Sequence, residues 1–175
     1  MRPSIRRGLL APVAASLLAS GCVAQGLAFR VDTRLHITSP KDRAEVTLPL
    51  RLSWTIRDFA VRSSSNGDDG GSFAIFVDRS PIPPGKTLAW LARKDSACTV
   101  KPGCPDAAYL APLGIYETTE TSLELRSLPL DGSTSPGRRD RHHATIILLD
   151  HDGKRIGEIA YDVTFDLKQK DGSGA

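Results

Sequence analysis

Two segments of this chain carry a strict two-residue alternation, and that period admits one regular structure. In EVTLPLRLSWTIR, residues 45–57, Val46, Leu48, Leu50, Leu52, Trp54 and Ile56 alternate with Thr47, Pro49, Arg51, Ser53, Thr55 and Arg57. Successive side chains of an extended chain point to opposite faces, so the apolar set gathers on one side and the polar set on the other. A helix would scatter the same residues around its axis. Residues 159–168 repeat the pattern: Ile159, Tyr161, Val163, Phe165 and Leu167 interleave with Ala160, Asp162, Thr164, Asp166 and Lys168. Both segments read as half-buried antiparallel strands. Pro49 has no amide to give a ladder, which predicts a sheet edge or a bulge there.

Shorter strand candidates lie around these two: RLHITSP (34–40), FAIFVD (73–78), GIYETT (114–119), SLELRSL (122–128) and HATIILLD (143–150). The last is apolar on both faces at its centre, as a middle strand is, and Asp152-Gly153 supplies a hairpin turn after it. No amphipathic helix and no internal repeat is visible. Residues 79–112 are Pro-rich and offer at most a helical turn near Leu88 to Arg93. About seven short strands separated by turn signals predict an all-β fold, a seven-stranded antiparallel sandwich of two sheets.

The start of the chain is of another kind. Arg2, Arg6 and Arg7 precede Gly8–Ser20, an apolar run without a charge. About 13 helical residues reach only about 20 Å, short of a hydrocarbon core of about 30 Å, so the run has the size of a signal-peptide core and not of a span. It closes on Leu18-Ala19-Ser20-Gly21-Cys22, which resembles the lipobox of bacterial lipoproteins. The resemblance implies cleavage before Cys22, fatty acylation of its sulfur and attachment to a membrane of the cell envelope. An ordinary secretory leader is the alternative, and Arg6-Arg7 bears a weak similarity to a twin-arginine signal. The full chain has 23 basic and 20 acidic residues, but Arg2, Arg6 and Arg7 precede Cys22 and no acidic residue does, leaving 20 of each. A balanced mature chain excludes nucleic acid as a partner.

LRLSWTI, FAIFVD and TSLELRSLP leading into HATIILLDHDGKRIGE together resemble the strand order of fibronectin type III and bacterial Ig-like domains. Trp54 would then be the core tryptophan of the second strand. His142 and His143 stand where that pattern places a tyrosine, and the connection after the third strand is unusually long. Cys98 and Cys104, inside that connection, read as a disulfide in an exported protein, against half of a metal site or free thiols. The expected organisation is a lipoprotein signal peptide at 1–21, a lipidated tether at 22–32, an Ig-like domain at 33–168 and a flexible tail at 169–175.

Motifs for chemistry are sparse. His142 and His143 fall on opposite faces of one strand, and His151 lies roughly 25 Å along it at about 3.3 Å per residue, which argues against a shared metal site; one of the pair reads instead as capping the core or hydrogen-bonding nearby backbone. DHDGK (150–154) lacks the later oxygens and closing Glu of an EF-hand and reads as a hairpin turn. NGDDGG (66–71) reads as a solvated loop before it reads as a weak calcium site. GSTSPG (132–137) is not a nucleophile elbow, and no zinc-protease motif occurs. The expectation is therefore no enzyme, no cofactor and no metal.

Alternating strand directions send loops to two poles. The loops at 57–72, 117–121 and 150–153 would share the membrane-facing pole, and those at 39–44, 79–112 and 129–142 the outer one. The outer pole would carry Trp90 and Tyr109 beside Arg138, Arg139, Arg141 and His142, residue types favoured at partner contacts. Trp90 reads first as a cover for the core edge, and the arginines otherwise as solvated. The sequence thus describes an envelope lipoprotein whose monomeric, non-catalytic module binds a protein or a glycan. A structural subunit pairing through sheet edges is the alternative; an enzyme or a metal carrier is the remote one.

Overall fold

The computed structural model describes residues 33–62, 70–128 and 140–168. Among them are eight strands: β1 (Leu35–Ser39), β2 (Ala44–Val46), β3 (Leu50–Ile56), β4 (Ser72–Val77), β5 (Ile115–Thr118), β6 (Ser122–Leu125), β7 (Asp140–Leu149) and β8 (Tyr161–Leu167). They form two sheets, one of order β1-β3-β6 and one of order β2-β8-β7-β4-β5. Among the described residues strand is the dominant regular structure, in a two-layer arrangement consistent with a β-sandwich.

The inner layer is built as the alternation requires. Leu50, Leu52 and Trp54 of β3 are buried while Arg51 and Thr55 are exposed. They face Phe73, Ile75 and Val77 of β4, Ala144, Ile146 and Leu148 of β7, and Val163 and Phe165 of β8. Trp54 meets the Phe73 ring edge-on, centroids 5.3 Å apart at 71°. Registers such as Leu35↔Ile56, Leu50↔Leu125, Phe73↔Leu148 and His142↔Phe165 fix which chain ends share a pole.

Four expectations need correction. The alternating segment 45–57 is two strands, which gives eight in place of seven. The ladder cannot pass through Pro49, which has no amide, and the chain changes sheets there. β2 then runs parallel to β8, with Ala44 opposite Phe165 and Val46 opposite Leu167, so the larger sheet is mixed and not wholly antiparallel. The last strand starts at Tyr161, leaving Ile159 and Ala160 in the preceding connection. Finally, 79–112 is not a loop standing off one pole. It holds α1 (Ser96–Thr99), α2 (Ala107–Leu110) and single turns at Leu88–Trp90 and Ala111–Leu113, and it lies against the outer face of the larger sheet.

That contact makes a second core. Ala74 and Phe76 of β4, Ile115 of β5, and Ile147 and Leu149 of β7 pack under Ile82, Leu88 and Leu110 of the insertion. Burying each large apolar side chain contributes about 1.5–3 kcal/mol, so the insertion is part of the fold. Residues 129–139 and 169–175 lie outside the described residues, as do the leader and tether at 1–32, GSTSPG and most of NGDDGG.

At the opposite pole, Gly71 packs backbone against backbone. Its amide donates to the Ala60 carbonyl, its carbonyl accepts from Arg62, and a β-carbon there would fall on the Leu149 carbonyl oxygen and the Phe59 ring. Gly85 has φ +72° but open space around it. Gly71→Ala is therefore expected to lower the unfolding free energy by about 2–3 kcal/mol and Gly85→Ala by about 1 kcal/mol or less, as read from urea melts.

Candidate functional site

The insertion crosses the sheet and is fastened at its far side by a buried arginine. Asp150 Oδ1 accepts from the amides of Asp152 (2.9 Å) and Lys154 (2.8 Å), making the tight turn read from DHDGK. The turn delivers Arg155 beneath the insertion. Its guanidinium donates to the carbonyls of Ile82 (2.6 Å) and Glu158 (2.8 Å), while its backbone exchanges hydrogen bonds with Gly85 and Lys86. Burial pushes the Arg155 guanidinium down from its ordinary range, opposed by Asp162 and Glu158.

Where the cover ends, the sheet's outer face turns polar. Asp78, Arg79, Ser80 and Pro81 form one wall of an open groove of about 500 Å³, His143 and Thr145 its floor, and Ala160 and Asp162 the other wall. The Thr145 hydroxyl donates to Asp162 Oδ1 at 2.8 Å, so toward His143 Nε2, 3.0 Å away, it can only accept. A serine-type relay needs the reverse, with the hydroxyl proton directed at the imidazole. The grouping suits hydrogen bonding to a polar ligand: a guanidinium, an imidazole, a carboxylate and a serine hydroxyl beside one proline ring.

The residues singled out in the sequence disperse. Cys98 and Cys104 are joined in a disulfide. Around it, Asp95 caps α1 and Asp106 caps α2, Lys101 pairs with Asp106 at 2.8 Å, and the Tyr109 hydroxyl donates to Asp95 Oδ2 at 3.2 Å. Burial, then the Asp95 carboxylate, pushes the Tyr109 phenol up. Trp90 and Tyr109 pack half-buried against the second core, with the Arg93 guanidinium 3.5 Å over the Trp90 ring. Trp90 packs against the edge of this core, and neither aromatic stands on a free loop tip. Arg141 is exposed on the outer face and paired with Asp166 at 2.9 Å. Arg138 and Arg139, like Cys22, lie outside the described residues.

His142 corrects the expectation most sharply. It points inward, buried, its ring stacked on Phe165 with centroids 5.8 Å apart, and Asp78 Oδ2 accepts from its Nδ1 at 2.6 Å. It is not part of a docking surface. As read from the strand period, His143 takes the other face. Among the described residues no group of three or more His, Cys, Asp or Glu side chains is placed to hold a metal ion. No described helix is long and apolar enough to cross a membrane.

Sequence reasoning missed Arg155, Asp78 and the His143–Thr145–Asp162 floor. A signal for the floor was present. FAIFV and IILL are apolar on both faces, marking a covered stretch, whereas His143 and Thr145 make the outer face of β7 polar before Ile147. Comparison of the chain with family models, with curated proteins and with solved structures finds no match in any of the three.

Removing the Arg155 side chain strands the buried Ile82 carbonyl and frees the part-buried Glu158 carbonyl. Arg155→Ala is expected to cost about 2–3 kcal/mol in urea unfolding and to speed proteolytic cleavage within 79–112. Arg155→Lys should recover part of the loss, since one ammonium can reach one carbonyl.

Proposed function

We propose that this chain is an exported lipoprotein, held on an envelope membrane through acylated Cys22, whose Ig-like sandwich binds a protein or glycan partner without catalysis. The observation that carries this reading is the Arg6–Cys22 stretch, a charged front and a short apolar run ending on Gly-Cys. Two or more acyl chains on one cysteine give lasting attachment, because each buried methylene contributes about 0.8 kcal/mol. The Ig-like assignment draws on strand order: β1, β3 and β6 in one sheet against β4, β7 and β8 in the other, the division in which first, second and fifth strands oppose third, sixth and seventh once β2 is set aside.

The partner surface we favour is the groove of Arg79, Ser80, His143 and Asp162, in place of the outer-pole cluster expected from sequence. β1 begins at the pole of Ile56 and Arg57, while Asp78 and Arg79 leave β4 at the opposite one. That end of the groove therefore lies at the pole opposite the start of β1.

Growth of a bacterial host with an alkyne fatty acid should label the full chain and place it in the membrane fraction. The Cys22→Ala form should lose both label and membrane association. An unlabelled, freely soluble wild type refutes the anchor. For the groove, Arg79→Ala with His143→Ala should reduce capture of envelope partners by about tenfold or more, with the melting temperature within about 2 °C of wild type. Undiminished capture removes the groove.

A further inference from the structure

His142 lies near the start of β7, beside the residue that follows the end of β4. The Asp78 side chain, at the mouth of the insertion, uses both oxygens on β7: Oδ2 accepts from His142 Nδ1 at 2.6 Å and Oδ1 from the His143 amide at 2.8 Å. The Asp78 amide donates to the His143 carbonyl at 2.8 Å, and the residue is held at φ +54°, a conformation asparagine and aspartate tolerate better than most. On the other side of the ring, Asp140 Oδ1 stands 3.4 Å from Nε2. Asp140 is the first residue of β7, where the chain arrives from 129–139.

The Nε2 atom itself is buried and without a hydrogen-bond partner among the described residues. Since Nδ1 gives its proton to Asp78, the charge state of the ring decides what Nε2 presents. A protonated Nε2 turns N–H and positive charge toward Asp140. A deprotonated Nε2 turns a lone pair toward the same carboxylate from a ring atom shielded from water, where an unpaired polar contact is costly. Attraction becomes repulsion at one unchanged position.

We propose that His142 is a pH-operated latch that, as imidazolium, clasps the end of β4 to the start of β7 through Asp78 and Asp140, and on losing its proton releases the Asp140 end. Asp78 and Asp140 are the charged groups facing the ring from β4 and β7. Phe165 brings none from β8, and the neighbouring Arg141 and His143 point to the other face. The hydrogen bond to Asp78, followed by the charges of Asp78 and Asp140, raises the imidazole above its ordinary value of 6.5 against the opposing effect of burial. The sign follows: the clasp is complete below pH 6.5 and is lost as pH rises through the raised value. The latch is independent of whether the groove receives a partner.

The test is a pH series on the full chain by NMR, following the His142 ring and the amide exchange of residues 140–142, with Ile75 and Phe76 amides as a control for global unfolding. After correction for intrinsic exchange, protection at 140–142 should fall by about threefold, the size of one partly buried ion pair, at the pH where the His142 ring titrates. The control amides should stay flat. In Asp140→Asn the ring should titrate lower and the step in exchange should vanish. A His142 ring titrating below free histidine, flat protection at 140–142 through that titration, or an undiminished step in Asp140→Asn each overturns the proposal.

Discussion

The outer faces of β4 and β7 carry Phe76, Ile147 and Leu149, and a sheet with such a face cannot be left wet. A simple sandwich covers one side of each sheet and leaves the other polar. Here the central pair of the larger sheet is apolar on both sides, so the chain must bring a third layer. The insertion between β4 and β5 is that layer. Its short helical pieces are too brief to be stable alone; they persist because Ile82, Leu88 and Leu110 are packed on the strands below. The polar strip at His143, Thr145 and Asp162 is open because the cover stops before β8.

Three restraints keep the cover in place, each at a different point along it. Asp78 fixes its departure from β4, Arg155 fixes its far reach, and the Val77 amide bonded to the Gly114 carbonyl fixes its return into β5. Two of them are charged groups held against the edges of a core. Such groups are retained where they satisfy polar atoms that packing alone would strand, and Arg155 does this for the buried Ile82 carbonyl while also holding the Glu158 carbonyl at the edge of the cover. The groove inherits its shape from the first restraint, since Asp78 to Pro81 is both the start of the cover and one wall of the opening.

Much of this was legible in residue pattern. The approximate places of most strands, the buried role of Trp54, the opposed faces of His142 and His143 and the turn at Asp152-Gly153 follow from period and turn chemistry, which are local. What was not legible depends on where distant segments meet. The alternation from Val46 to Ile56 continues across Pro49, so period alone could not show that Val46 and Leu50 belong to different sheets. His142 looked exposed because its neighbours Arg138, Arg139, Asp140 and Arg141 are polar; only the register opposite Phe165 shows that its position is an inward one. Arg155 resembled any turn cation, and its burial arises from an insertion some seventy residues earlier in the chain. The groove, built from the ends of β4, β7 and β8, is a property of sheet order.

The disulfide has a consequence of its own. Cys98 and Cys104 enclose a few residues of the covering layer and join no strand to another. The strand ladders and the Trp54–Phe73 interior contain no sulfur crosslink. Loss of that one crosslink would act on the outermost layer alone and leave every strand ladder in place.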